Sequence, residues 1–213
     1  MTRNRLIPAT GLVLLLLLGA ASAFAQQPPR PPEYREIMIA RNIPDLAARL
    51  KEFERLKAAY PQSTLMPMIE DAILGLKIDL SASLDEVLAL QKPVAGSGEG
   101  FERIYSLYGA ALDIVTHRNL SGFDKAGVVK AVLAYEDAAG KLLEDKAFLE
   151  SVPEEERPYL AEYARAIQIG EAMAHLNAGE PAKALDTLKA YRDAGGAEED
   201  MYSYAFAEAS AKA

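Results

Sequence analysis

The chain has 213 residues, half of them hydrophobic and a quarter charged, with a formal net charge of −8, two His and neither Cys nor Trp. No disulfide framework, thiolate metal site or Cys nucleophile is possible, and the apolar half is too large for simple disorder. The acidic balance argues against nucleic acid and against anionic membrane surfaces, both of which require Lys and Arg to meet phosphate.

Residues 1–25 carry the pattern of a secretory signal peptide. Arg3 and Arg5 make a basic start, Leu12 to Leu18 an apolar centre, and Ala23-Phe24-Ala25 places small residues at a cleavage site. The apolar run is short for a membrane span, which needs ~20 residues. The expected product is soluble, periplasmic or extracellular, without stable membrane insertion after cleavage. Cleavage removes two basic residues and no acid, so the mature chain is the more acidic. Residues 26–32, Gln-Gln-Pro-Pro-Arg-Pro-Pro, read as an extended proline-rich leader.

Beyond the leader only three Thr and seven Val stand against abundant Ala, Leu, Glu and Lys. That composition favours helix, and no stretch alternates long enough to suggest a strand. Nine helices are expected, in an all-α protein. Residues 33–92 hold the N-terminal hairpins. A short helix covers Tyr34 to Arg41. Pro44 suits the first turn of a second, whose stripe is Leu46, Leu50, Phe53, Leu56 and Tyr60. Leu65, Ile69, Ala72 and Leu76 stripe a third, and Ser83 with Glu86 forms a capping box ahead of a fourth that Pro93 stops.

Residues 93–100 contain three Gly and read as a hinge. A phosphate-binding loop would follow a strand and need a Lys or an acidic ribose partner in a βα context, whereas a helix precedes this stretch and no strand is evident. From Phe101 to Val115 runs a fifth helix. A long sixth is predicted from about Asp124 to Glu150, and acids after Pro153 open a seventh bearing Leu160, Tyr163, Ile167, Gly170 and Ala174. Pro181 begins an eighth, Gly195-Gly196 ends it, and the last covers roughly Glu198 to Ala211.

Within the C-terminal region, 101–213, the run Ala172 to Leu185 resembles a tetratricopeptide repeat. Ala172 matches the small residue of the first helix, Gly179 the turn, Ala184 the small residue of the second helix, and Leu188 its large apolar position. The repeat-like hairpin spans about 158–194. His175 replaces the usual Tyr, Tyr191 replaces a small residue, and the junction Pro is missing. Tyr60-Pro61-Gln62-Ser63 followed by Pro67 resembles the repeat junction of exported bacterial proteins of this family. The resemblance implies antiparallel helical hairpins stacked as a short solenoid, with Ala166, Ile169, Met173, Leu176 and Asn177 facing a groove.

Chemical motifs are sparse. Asp113 precedes His117 by four residues and Glu171 precedes His175 by four, spacings that pair an acid and a His on a helix face and stabilise helices without a metal. No Gly-x-Ser-x-Gly, Ser-x-x-Lys or His-Glu-x-x-His occurs, so no catalytic residue is assigned and neither cofactor nor metal is expected. Asn119-Leu120-Ser121 is a glycosylation sequon. The expected function is an exported scaffold for a protein or peptide. The alternative is a helical bundle that holds a small ligand or metal ion.

Overall fold

The computed structural model describes residues 31–197 and 200–213. The expected signal peptide (residues 1–25) and most of the expected proline-rich leader lie outside the described residues. Among them are ten α-helices, one short 3₁₀ turn at Leu120–Gly122, and no strand. In chain order the helices are α1 (Glu33–Arg41), α2 (Leu46–Ala59), α3 (Met66–Leu80), α4 (Leu84–Gln91), α5 (Phe101–Val115), α6 (Lys125–Glu144), α7 (Lys146–Ser151), α8 (Arg157–Ala178), α9 (Pro181–Asp193) and α10 (Asp200–Lys212).

Local chemistry explains the boundaries. Asp45 caps α2 by accepting from the Ala48 amide at 2.7 Å, so Pro44 sits before the cap rather than in the first turn. Ser83 caps α4 through the Glu86 amide while Glu86 reaches back to the Ala82 amide at 2.7 Å, a capping box shifted by one residue. The expected long sixth helix is two helices. Asp145 adopts an extended backbone and its carboxylate accepts from the Ala147 and Phe148 amides, which ends α6 and starts α7. Glu154 to Glu156 form a turn ahead of α8, which begins at Arg157 with Pro158 in its first turn. Gly179, at φ +80°, closes α8 in the left-handed region that favours glycine.

The 93–100 stretch is fastened to α5. Ser106 Oγ accepts from the Gly96 amide at 3.0 Å, and Arg103 Nε donates to the Gly96 carbonyl at 3.3 Å. Gly96, Gly98 and Gly100 all have positive φ, which supplies the sharp path.

Three cores hold the helices. The first joins Ile37 and Ala40 of α1 to Phe53 and Leu56 of α2 and to Ile69, Ile73 and Leu76 of α3. The central core runs from Ile78 through α4, α5, α6 and α7 to Leu160, Ile167 and Ala174 of α8. The last gathers Ile169, Ala172 and Leu176 of α8 with Ala184 and Leu188 of α9 and Tyr202 and Ala205 of α10.

Contacts define the helix directions. Phe101 meets Tyr159 and Tyr163, and a methyl group added at Gly170 would lie 3.7 Å from both Ala111 and Val132. Helices α5 and α8 are therefore parallel. Val132 near Gly170 and Glu136 bonded to Gln168 set α6 antiparallel to both. Helix α9 folds back on α8 through Gly179. Ile169 shares one hollow with Met201, and Asn177 shares another with Glu208, so α10 runs parallel to α8.

Candidate functional site

Residues 166, 169, 173, 176 and 177 recur at helical spacing, so they form one stripe along α8. The stripe is flanked by α5 on one side and α10 on the other, and two hollows open along it. Ala166 and Ile169 line the first, about 320 Å³, with Tyr105, Tyr108 and Glu162. Met173, Leu176 and Asn177 line the second, about 380 Å³, with Tyr204 and Lys212. All five sequence-selected residues thus border a hollow. Ile169 and Leu176 are nonetheless buried and belong mainly to the C-terminal core, whereas Ala166, Met173 and Asn177 are half-buried. The Asn177 Nδ2 atom is itself buried and makes no hydrogen bond to protein.

Sequence periodicity missed an aromatic cluster of which Tyr105, Tyr108 and Tyr163 line the first hollow, with Phe101 and Tyr159 packed beside them. Phe101, Tyr105 and Tyr108 step along α5 and Tyr159 and Tyr163 along α8. Because the helices are parallel, Tyr163 meets Phe101, Tyr105 and Tyr108 edge-on, at ring-centre distances of 5.1, 5.3 and 5.3 Å. The available signal was the i, i+4 spacing of aromatic residues on two helices. It becomes informative only once the helices are known to be neighbours.

The opposite side of α8 carries buried polar groups. Gln168 donates to Glu136 of α6 at 3.1 Å, and Thr187 of α9 donates to Glu171 at 3.2 Å. His175, buried, lies 2.8 Å from a Glu180 oxygen through Nδ1 and 3.4 Å from a Glu171 oxygen through Nε2. Burial raises the Glu136 carboxyl above its ordinary range, the nearby Glu171 adds to that, and the Gln168 amide opposes it. Glu180 is held below the usual range, chiefly by its bond from Lys183 and then by His175.

The other histidine is a structural clamp. His117 Nε2 lies 2.8 Å from the Ile78 carbonyl and Nδ1 accepts from the Asn119 amide at 3.0 Å, so both ring nitrogens are occupied. Asn119, the sequon residue, donates to the Ser81 carbonyl at 3.3 Å. Asp113, four residues before His117, instead receives a bond from Gln91, and burial raises its carboxyl. Gln91 also binds the Ala110 carbonyl and the Tyr135 hydroxyl, a buried polar joint among α4, α5 and α6. Among the described residues no group of three or more His, Asp or Glu is placed to hold a metal ion.

Another hollow, larger than these two, lies between α4 and α6. It measures about 630 Å³, is open to solvent, and is lined by Leu84, Leu88, Phe123, Lys130 and Tyr135 among others. No described helix is long and apolar enough to cross a membrane. No protein-family profile matches the chain, and no curated protein or solved structure shows significant similarity to it.

Proposed function

We propose that the chain is an exported scaffold built as a short tetratricopeptide-like solenoid, which holds a protein or peptide partner along the α5–α8–α10 face. The observation that carries this reading is the alternation of helices. Helices α5, α8 and α10 run parallel side by side, while α6 and α9 return antiparallel behind them. That is the order of first and second helices in a stacked-hairpin array, whose first helices line the concave surface. The hollows along α8 form one stripe over two hairpins, the shape of a groove for an extended ligand. Export rests on the basic, apolar and small-residue pattern of residues 1–25.

The test is site-specific photocrosslinking in the exporting cell. A photoreactive residue at Ala166 or Met173 is expected to trap the same partner, and one at exposed Lys189 on α9 to trap none. Ala166→Arg should abolish the adduct formed from Met173 while leaving the melting temperature unchanged. Equal trapping from Lys189, or indifference to the arginine, would defeat the groove reading.

A second reading has one observation in its favour, the 630 Å³ hollow between α4 and α6. Its volume suits a small ligand, and Lys130, Tyr135, Asp85 and Asp124 offer polar anchors beside apolar Leu84, Leu88 and Phe123. A small molecule that raises the melting temperature of the native protein but not of Lys130→Ala would support it.

A further inference from the structure

The first hollow differs from the second in its walls. Tyr163 is gripped edge-on by three rings, with interplanar angles of 72° to 77°, so the cluster is a rigid platform with little entropy left to lose on binding. Tyr105 is 51% exposed and Tyr159 53% exposed, although Phe101 contacts both. Adjoining aromatic surface left to water is a mark of an interaction site. The one charged side chain in the lining is acidic. Glu162 lines the hollow and no Lys or Arg does, with Arg165 outside the lining.

We propose that this end of the groove takes an extended, proline-containing segment of a partner protein that carries a basic residue. The inference rests on the groove reading and adds the chemistry of the ligand. Flat pyrrolidine rings pack against tyrosine faces, and the polyproline backbone lacks internal hydrogen bonds, so its carbonyls stay open to phenolic donors. The preset backbone of such a segment loses little freedom on docking. A guanidinium or ammonium group between an exposed Tyr face and Glu162 gains cation–π and carboxylate contacts together. The chain's own Pro28-Pro29-Arg30-Pro31-Pro32 has this chemistry, but its end is already committed. The Pro31 carbonyl accepts from the Tyr34 amide and Pro32 sits at the N-cap position of α1, a helix of the first core that contributes nothing to this hollow. The occupant is therefore assigned to a partner.

The test uses the full mature chain and a fluorescent nine-residue peptide, Pro-Pro-Arg repeated three times, read by anisotropy. Saturable binding is expected. Replacing the prolines with alanine at constant charge should weaken it about tenfold, the equivalent of 1.4 kcal/mol. Replacing the arginines with glutamate should abolish it. The double variant Tyr105→Ala, Tyr159→Ala should weaken binding at least about tenfold while keeping its helix content by circular dichroism at the binding temperature. Glu162→Gln should reduce both the affinity and its dependence on salt. Equal binding of the proline and alanine peptides, preference for the acidic peptide, or indifference to the tyrosine pair overturns the proposal. If the peptide fails while Ala166 and Met173 still crosslink a partner, the ligand chemistry is wrong and the groove stands. If both fail, the groove itself is wrong.

Discussion

The two sides of α8 are built from different materials. Toward α6 and α9 it presents half-buried Gln168 and Glu171, bonded to Glu136 of α6 and Thr187 of α9, and buried His175, held between Glu171 and Glu180 of the α8–α9 turn. Toward α5 and α10 it presents Ala166 and Met173 beside hollows, with tyrosines around them. The polar side has partners of defined geometry, so it holds the helices in one register. The aromatic side makes few directional demands inside the molecule, and its tyrosine surface remains available to something else. On the proposed groove reading, support and contact are separated on one helix, and substitutions on the two sides should fail differently.

The sharpest break comes at His175. His175→Ala removes a buried ring and its contacts to Glu171 and Glu180, a loss expected to cost about 3 kcal/mol in denaturant unfolding. A groove substitution such as Ala166→Arg should cost less than ~0.5 kcal/mol by the same measurement. If the two melt alike, the division between support and contact does not hold.

Next is the α8–α9 contact. Ala184 is fully buried and Ala182 is exposed. Ala184→Leu should overpack the interface and destabilise by ~1–3 kcal/mol, whereas Ala182→Leu should change stability by less than ~0.5 kcal/mol. Helix propensity changes equally in the two variants, so their difference in thermal midpoint reports packing alone.

The smallest effect is electrostatic. Because Glu136 has a raised carboxyl pKa in the folded state, the folded chain holds its proton to higher pH than the unfolded chain does. Its ionisation therefore weakens folding as pH rises from the unfolded pKa through the raised folded one, and acidification through that window restores the stability. Glu136→Gln keeps a hydrogen-bonding group without the charge. The variant should be the more stable at neutral pH, by less than about 1 kcal/mol because the site is only half-buried. That advantage should shrink as pH falls toward the ordinary carboxyl range. A constant difference between pH 4 and 8 would remove Glu136 from the titrating seam.

Most helices were legible because their apolar residues recur at 3.6-residue spacing and their ends carry chemical punctuation. Gly179 and Pro181 marked the α8–α9 turn, and the structure gives the glycine its positive φ. The α6–α7 break was hidden because the stripe from Val128 through Leu142 continues in phase to Leu149. Only the Asp145 carboxylate, which captures two amides, interrupts it. Tyr191, a large residue where the repeat pattern expects a small one, packs on Gly196 and donates to the Ala197 carbonyl at 3.0 Å. The aromatic cluster escaped for a different reason. Tyr105 and Tyr159 lie off the core stripes of their own helices, and they join one cluster only through the parallel docking of α5 on α8. Single-helix periodicity carries no information about such a meeting.

The three cores have a consequence for how the molecule comes apart. Helix α3 gives Ile73 and Leu76 to the first core and Ile78 to the central one, while α8 gives Ile167 and Ala174 to the central core and Ala172 and Leu176 to the last. Each end of the chain is coupled to the middle largely through one shared helix rather than through a common interior. Such a chain opens in sections, its ends exchanging amide hydrogens by partial unfolding while the centre stays closed. The α9–α10 end, which completes the second hollow, can then loosen and re-form around α8 without global unfolding.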